Sequence, residues 1–157
     1  MNNSLSRRLA LGATLVVDDR LSAVQLEAYL ARDANQLAAG AWRSPEIQTY
    51  DEFCASLWAA NCGRDRLLLS ATQSDALWRS VVAASPSGAA LIDTARIAGW
   101  ARQAWGLLEA WCLDFRELRA RDDDPGFAEF LEWAGQFARA LTESGWLDRG
   151  ALARVVS

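Results

Sequence analysis

Asp18 and Asp19 close the apolar run Thr14-Leu-Val-Val17, and two carboxylates at the end of a buried strand can hold Mg²⁺ and polarise water beside a phosphate. Such chemistry needs a cradle for the phosphate. All sixteen basic residues of the 157-residue chain are arginine, so the lysine of a G-x-x-x-x-G-K-[ST] loop is missing and the chain is not a self-sufficient P-loop NTPase. Histidine is absent too, which excludes a Cys/His zinc site, a Ser-His-Asp triad and a histidine general base within this chain. Cys54, Cys62 and Cys112 lie in apolar helical patterns and outside any C-x-x-C pair, so they read as buried free thiols. No catalytic residue, metal ligand or cofactor is assigned, and the chain is read as non-enzymatic.

The elements that would carry these groups follow from pattern. Ala13 to Val17 reads as a short buried strand, because β-branched and leucine residues run together without helical spacing. A helix is expected from about Leu21 to Ala39, with Gly40 as its stop, and Glu46-Ile-Gln-Thr49 as a second strand. Strand, helix and strand this close form a βαβ unit with parallel strands. Thr49-Tyr-Asp-Glu52 and Ser70-Ala-Thr-Gln73 are capping boxes, opening helices to about Asn61 and about Ala84. Ser85-Pro-Ser-Gly88 marks a loop.

Beyond it the chain reads as all helix. Ile97, Trp100, Ala101, Ala104, Leu107, Leu108 and Trp111 share one helical stripe, and Phe127 to Leu141 repeat it after Asp124 as N-cap and Pro125 at the first position. These two helices are expected to pack together. A short helix follows Asp114, and Asp148 caps a last one. The fold class expected is α/β and mostly helical: a small parallel βαβ unit at 1–66, then a helical bundle at 67–157. The ending Val155-Val-Ser157 carries no tail or C-cap signal, which suggests a domain cut from a longer protein.

Of the eight tryptophans, Trp78, Trp100, Trp111 and Trp133 are assigned to core packing, since they sit at or beside apolar helical positions. Trp42, in a loop, and Trp146, after Ser144-Gly145, are the candidates for contact with a partner. A hydrophobic fraction of 52% is enough for a core, and no apolar run approaches the ~20 residues of a membrane helix. With no signal-peptide pattern, a cytoplasmic protein without membrane contact is expected. A net charge of −4 argues against a dominant basic face for nucleic acid, while leaving room for a local arginine patch.

Three readings compete for the acidic pair. It has the form of a Walker B strand end, but without a phosphate cradle that strand has nothing to act on. It also has the form of the opening of a response-regulator receiver domain, which further requires a strand-end lysine and five alternating β/α units. The third reading places Asp19 as N-cap and Asp18 beside the helix N-terminus, where negative charge is favourable by roughly 0.3–1 kcal/mol. This one needs nothing else from the chain.

In order, the segments TLVVDDRLSAVQLEAYLARD, AWRSPEIQTYDEFCASLW, LLLSATQSDALWRSVV, AWGLLEAWCLDF and FLEWAGQFARALTESGWLDRGAL cover most of the chain. This series resembles the amino-terminal region of a bacterial family called probable DNA repair proteins, related to the AddB and RecB recombination nucleases. Arg20-Leu21, Trp42, Pro45, Ile47, Phe53 and Trp58 match its pattern. The resemblance implies a degenerate helicase-like lobe of UvrD type without a working Walker A and, far downstream, a PD-(D/E)XK nuclease domain. It places the turn after TLVV and the turn at Thr49-Tyr-Asp-Glu-Phe53 against single-stranded DNA. Asp18 and Asp19 stand where the family prefers asparagine and arginine, and Tyr50 and Asp51 replace phenylalanine and histidine.

Arg20 and Thr49 are therefore the residues carried over as DNA-contact candidates. Each has a plain alternative, a solvated first-turn arginine and a helix cap. The expected function is a non-catalytic helicase-like domain that scaffolds or guides single-stranded DNA for a downstream nuclease domain. The alternative is a helical protein–protein adaptor with no nucleic-acid role.

Overall fold

The computed structural model describes residues 8–9, 11–37, 45–61, 65–88, 93–118 and 124–156. Gly40, Trp42 and Cys62 lie outside them. The chain divides into two compact units, Met1–Ser56 and Leu57–Ser157, where the sequence reading drew the line at residue 66. It is mostly helical, with two small parallel sheets among the described residues. No helix among the described residues is long and apolar enough to cross a membrane.

In the first unit, strand β1 (Thr14–Val17) leads into helix α1 (Arg20–Leu37), then strand β2 (Glu46–Thr49) and the start of helix α2 (Tyr50–Asn61), which belongs to the second unit from Leu57 on. The strands pair in parallel, from Thr14 opposite Glu46 to Val17 opposite Thr49. Ala23, Leu30 and Ile47 form the buried centre, with Leu15, Val17 and Leu26 packed on it. This is the expected βαβ order. Asp19 caps α1: the Ser22 amide donates to its Oδ1 at 2.8 Å and the Ser22 hydroxyl to its Oδ2 at 2.9 Å. Asp18 Oδ1 in turn accepts from the Asp19 amide at 3.0 Å.

In the second unit, strand β3 (Leu67–Leu68) precedes helix α3 (Ala71–Ala84), helix α4 (Thr94–Ala110), short helix α5 (Phe115–Leu118) and helix α6 (Pro125–Ser144). Strand β4 (Trp146–Leu147), a 3-10 turn at Arg149–Ala151 and helix α7 (Leu152–Val156) complete it. The Ser70–Gln73 box opens α3 with both reciprocal bonds. Asp124 accepts from the amides of Gly126 and Phe127 at the start of α6, and Gly145, at φ 64°, ends it in the left-handed conformation. At the end of α3 the backbone folds back on itself, the Gly88 amide donating to Ser85 Oγ at 2.9 Å. A side chain at Gly88 would collide with the Val82 carbonyl.

Three aromatic rings centre this unit. Trp78 is stacked on Phe137 at 4.2 Å and tilted against Trp105 at 6.1 Å, while Trp105 meets Phe137 edge-on at 5.5 Å. These contacts link α3, α4 and α6, so α4 and α6 pack together as their stripes suggest. An ion pair between Arg102 Nε and Asp75 Oδ1, at 2.6 Å, ties α4 to α3.

Three expectations are corrected here. The second unit is not all helix, because β3 and β4 pair in parallel, with the Leu67 amide on the Gly145 carbonyl and the Leu69 amide on the Leu147 carbonyl, both at 2.9 Å. Trp133 and Trp78 are buried as expected, but Trp100 and Trp111 are 56% and 74% exposed, because α4 turns Ala98, Ala101, Trp105 and Leu108 to the core instead. Cys54 is buried, whereas Cys112 is exposed and has a φ of 52°, since the chain leaves α4 there through a left-handed turn.

Candidate functional site

Two parallel strands in register end at the same edge, and the helices that follow them start there side by side. At that edge Arg20 opens α1, while Thr49 and Glu52 form the box that opens α2. Glu52 Oε2 accepts from the Thr49 amide at 2.9 Å, and Thr49 Oγ1 accepts from the Glu52 amide at 3.3 Å. The other oxygen, Glu52 Oε1, lies 3.5 Å from the Arg20 guanidinium. Both DNA-contact candidates, Arg20 and Thr49, thus meet on one carboxylate. The pair is open to water on both sides, so its direct contribution to stability is small.

The charge of this edge is adverse to phosphate. Asp18 and Asp19 stand at the start of α1 and Asp51 and Glu52 in the first turn of α2, and Glu52 pairs with Arg20. Hydrogen bonds from the Ser22 amide, and then from its hydroxyl, hold the Asp19 carboxyl below its ordinary value, so it stays ionised. A hydrogen bond with Cys54, followed by charge interaction with it, pushes the Tyr50 phenol upward, which keeps it neutral and a poor base. Among the described residues no group of three or more His, Cys, Asp or Glu is placed to hold a metal ion. Asp19 caps α1, and Asp18 beside it accepts from the Asp19 amide.

In the second unit the outward stripe of α4 borders a groove. Trp100, Leu107 and Trp111 recur at i, i+7 and i+11, all more than half exposed. Between α4 and the first half of α6 lies a trough of about 650 Å³, lined by Ile97, Trp100, Ala104, Leu107, Phe127 and Phe130. Among the described residues its charged lining is Asp124, the N-cap of α6, and Glu129 on α6. The guanidinium of Arg96 lies 5.3 Å above the Trp100 ring and 3.6 Å from Asp93, which keeps that end near neutral. Trp146, the partner-contact candidate, stands in β4, half-buried against the aromatic core.

The groove was missed in the sequence although a signal was present. Helix α4 is apolar on two faces, more than the core of this unit covers, so the second face is left exposed.

A polar cleft of about 370 Å³ near α7 contains Glu109, Asp148 and Arg154. The Glu109 side chain is 8% exposed and its Oε2 lies 3.1 Å from Arg154. Burial pushes the Glu109 carboxyl above its ordinary value, as does the neighbouring Asp148, while Arg154 pulls it back. A carboxyl whose folded value is raised favours the folded state below its unfolded value, and that contribution is lost as pH rises through the folded value. Relative to Glu109→Gln, the wild-type chain is therefore expected to lose stability as pH increases from about 4.5 upward, measured by urea denaturation at several pH values.

No family model matches the sequence, and no curated protein matches it either.

Proposed function

We propose that the chain is a non-catalytic, helicase-like domain of a DNA-repair or recombination nuclease, scaffolding that protein or guiding single-stranded DNA to its nuclease domain. The observation that carries this reading is the strand edge. Two positions that the sequence resemblance puts on DNA-facing turns, Arg20 and Thr49, come together on Glu52 at the starts of adjacent helices. The acidic surroundings favour scaffolding over guiding, because carboxylates repel the phosphate backbone.

The test is anisotropy of a labelled single-stranded oligonucleotide at low and moderate salt. Guiding predicts weak, salt-sensitive binding in which Arg20→Ala reduces the salt slope by about 0.7, the value for one single-strand phosphate contact. No binding at low salt leaves scaffolding alone. No ATP hydrolysis is expected from this chain, and ATPase activity abolished by Asp18→Asn would overturn the reading.

A second reading, a protein–protein adaptor, is favoured by the outward Trp100, Leu107 and Trp111 of α4. The gene discriminates between them. A reading frame that continues into a PD-(D/E)XK pattern supports the nuclease.

A further inference from the structure

We infer that the groove between α4 and α6 docks an amphipathic helix of a partner protein, one whose apolar face is flanked by arginine or lysine. This inference rests on the interaction surface and is independent of any contact with DNA. The shape of the trough suits a helix. From Ile97 to Leu108 the α4 wall of the trough runs three turns, about 16 Å at 1.5 Å per residue, which matches a helix presenting apolar anchors at i, i+3, i+4 and i+7. A small polar molecule fits less well, since specific pockets bring several polar groups together and this one offers two carboxylates on a single wall.

Charge selects among the remaining occupants. Among the described residues, Asp124 and Glu129 are the charged side chains lining the trough, and both are acidic. A second copy of the chain, meeting this face with the same face, would set acid against acid. Single-stranded DNA would bring phosphates to the same two carboxylates. A basic-flanked helix instead fills the trough with its apolar face and pairs its rim with Glu129. Asp124 is already engaged by the amides of Gly126 and Phe127, so Glu129 has the larger role in choosing the partner's charge. Trp100 supplies the broad apolar contact typical of interface anchors.

The experiment is selection of a displayed library of random peptides of roughly 16 residues, long enough for four helical turns, against the full chain. Enriched peptides should carry apolar residues at helical spacing with arginine or lysine beside them. Their affinity should fall roughly tenfold or more in Trp100→Ala and in Leu107→Glu, both at exposed positions, with folding checked by circular dichroism. Glu129→Arg should weaken the basic peptides and admit versions with glutamate at the flanks. Four results would overturn the proposal: no enrichment, enrichment of acidic or proline-rich extended peptides, binding indifferent to all three variants, or displacement of the peptide by a single-stranded oligonucleotide. Sedimentation that shows a dimer dissolved by Trp100→Ala would also overturn it, in favour of self-association. None of these results depends on whether Arg20 contacts DNA, so this test and the oligonucleotide test fail separately.

Discussion

Replacing Trp78 by alanine is expected to cost about 3–5 kcal/mol, the range for deleting a fully buried large aromatic residue. Trp78 is 0% exposed and touches both other rings of the cluster, so its loss removes contacts from α3, α4 and α6 together. A domain stable by roughly 5–15 kcal/mol would lose a large part of that margin. The measurement is urea denaturation followed by far-ultraviolet circular dichroism, with the midpoint falling sharply. Trp111→Ala is the control. Its side chain is 74% exposed, and its substitution should shift stability by no more than about 0.5 kcal/mol. Equal effects of the two substitutions would mean that the aromatic cluster does not hold this unit together.

The second large effect is expected at Asp148, which is 6% exposed and joins two distant parts of the second unit. Its Oδ1 accepts from the Ser74 hydroxyl on α3 at 2.7 Å, and its Oδ2 accepts from the Gly150 amide at 3.1 Å. Ser74 is itself 4% exposed. Asp148→Ala strands that hydroxyl at a cost of about 1–3 kcal/mol and removes the cap of the following turn, about 1 kcal/mol more. Asp148→Asn keeps an oxygen acceptor and should cost less. A double-mutant cycle with Ser74→Ala checks the assignment, because a shared hydrogen bond gives a coupling of roughly 0.5–3 kcal/mol, whereas additive losses would reject it.

Local chemistry made much of the fold legible. A capping box is written within four residues, so Thr49-Tyr-Asp-Glu52 and Ser70-Ala-Thr-Gln73 can be read without knowing what their helices pack against. Asp124-Pro125 and Gly145 bound α6 in the same local way. Pairing between remote segments is harder. A two-residue strand has no alternation to detect, so Leu67-Leu68 gives no strand signal. The periodicity of α4 identified an apolar stripe, yet periodicity alone does not say whether a stripe faces the core or the outside. Trp105, one residue beyond Ala104, turned out to be the core anchor, and Trp100 and Trp111 were left outward. At the strand edge, Arg20 and Thr49 were identifiable one by one, but the carboxylate they share is a tertiary fact of the parallel register.

The pairing of β3 with β4 also sets an order of events during synthesis. Loop closure over the roughly 80 residues from Leu67 to Trp146 costs about 4 kcal/mol in chain entropy, a cost that folding of the intervening helices lowers by shortening the distance. A ribosome that has released the chain only as far as α6 therefore holds Leu67 and Leu68 without their partner strand. Until Leu147 emerges, the start of the second unit is an apolar segment awaiting the far end of the same unit, and a chaperone or protease would find its opportunity in that interval.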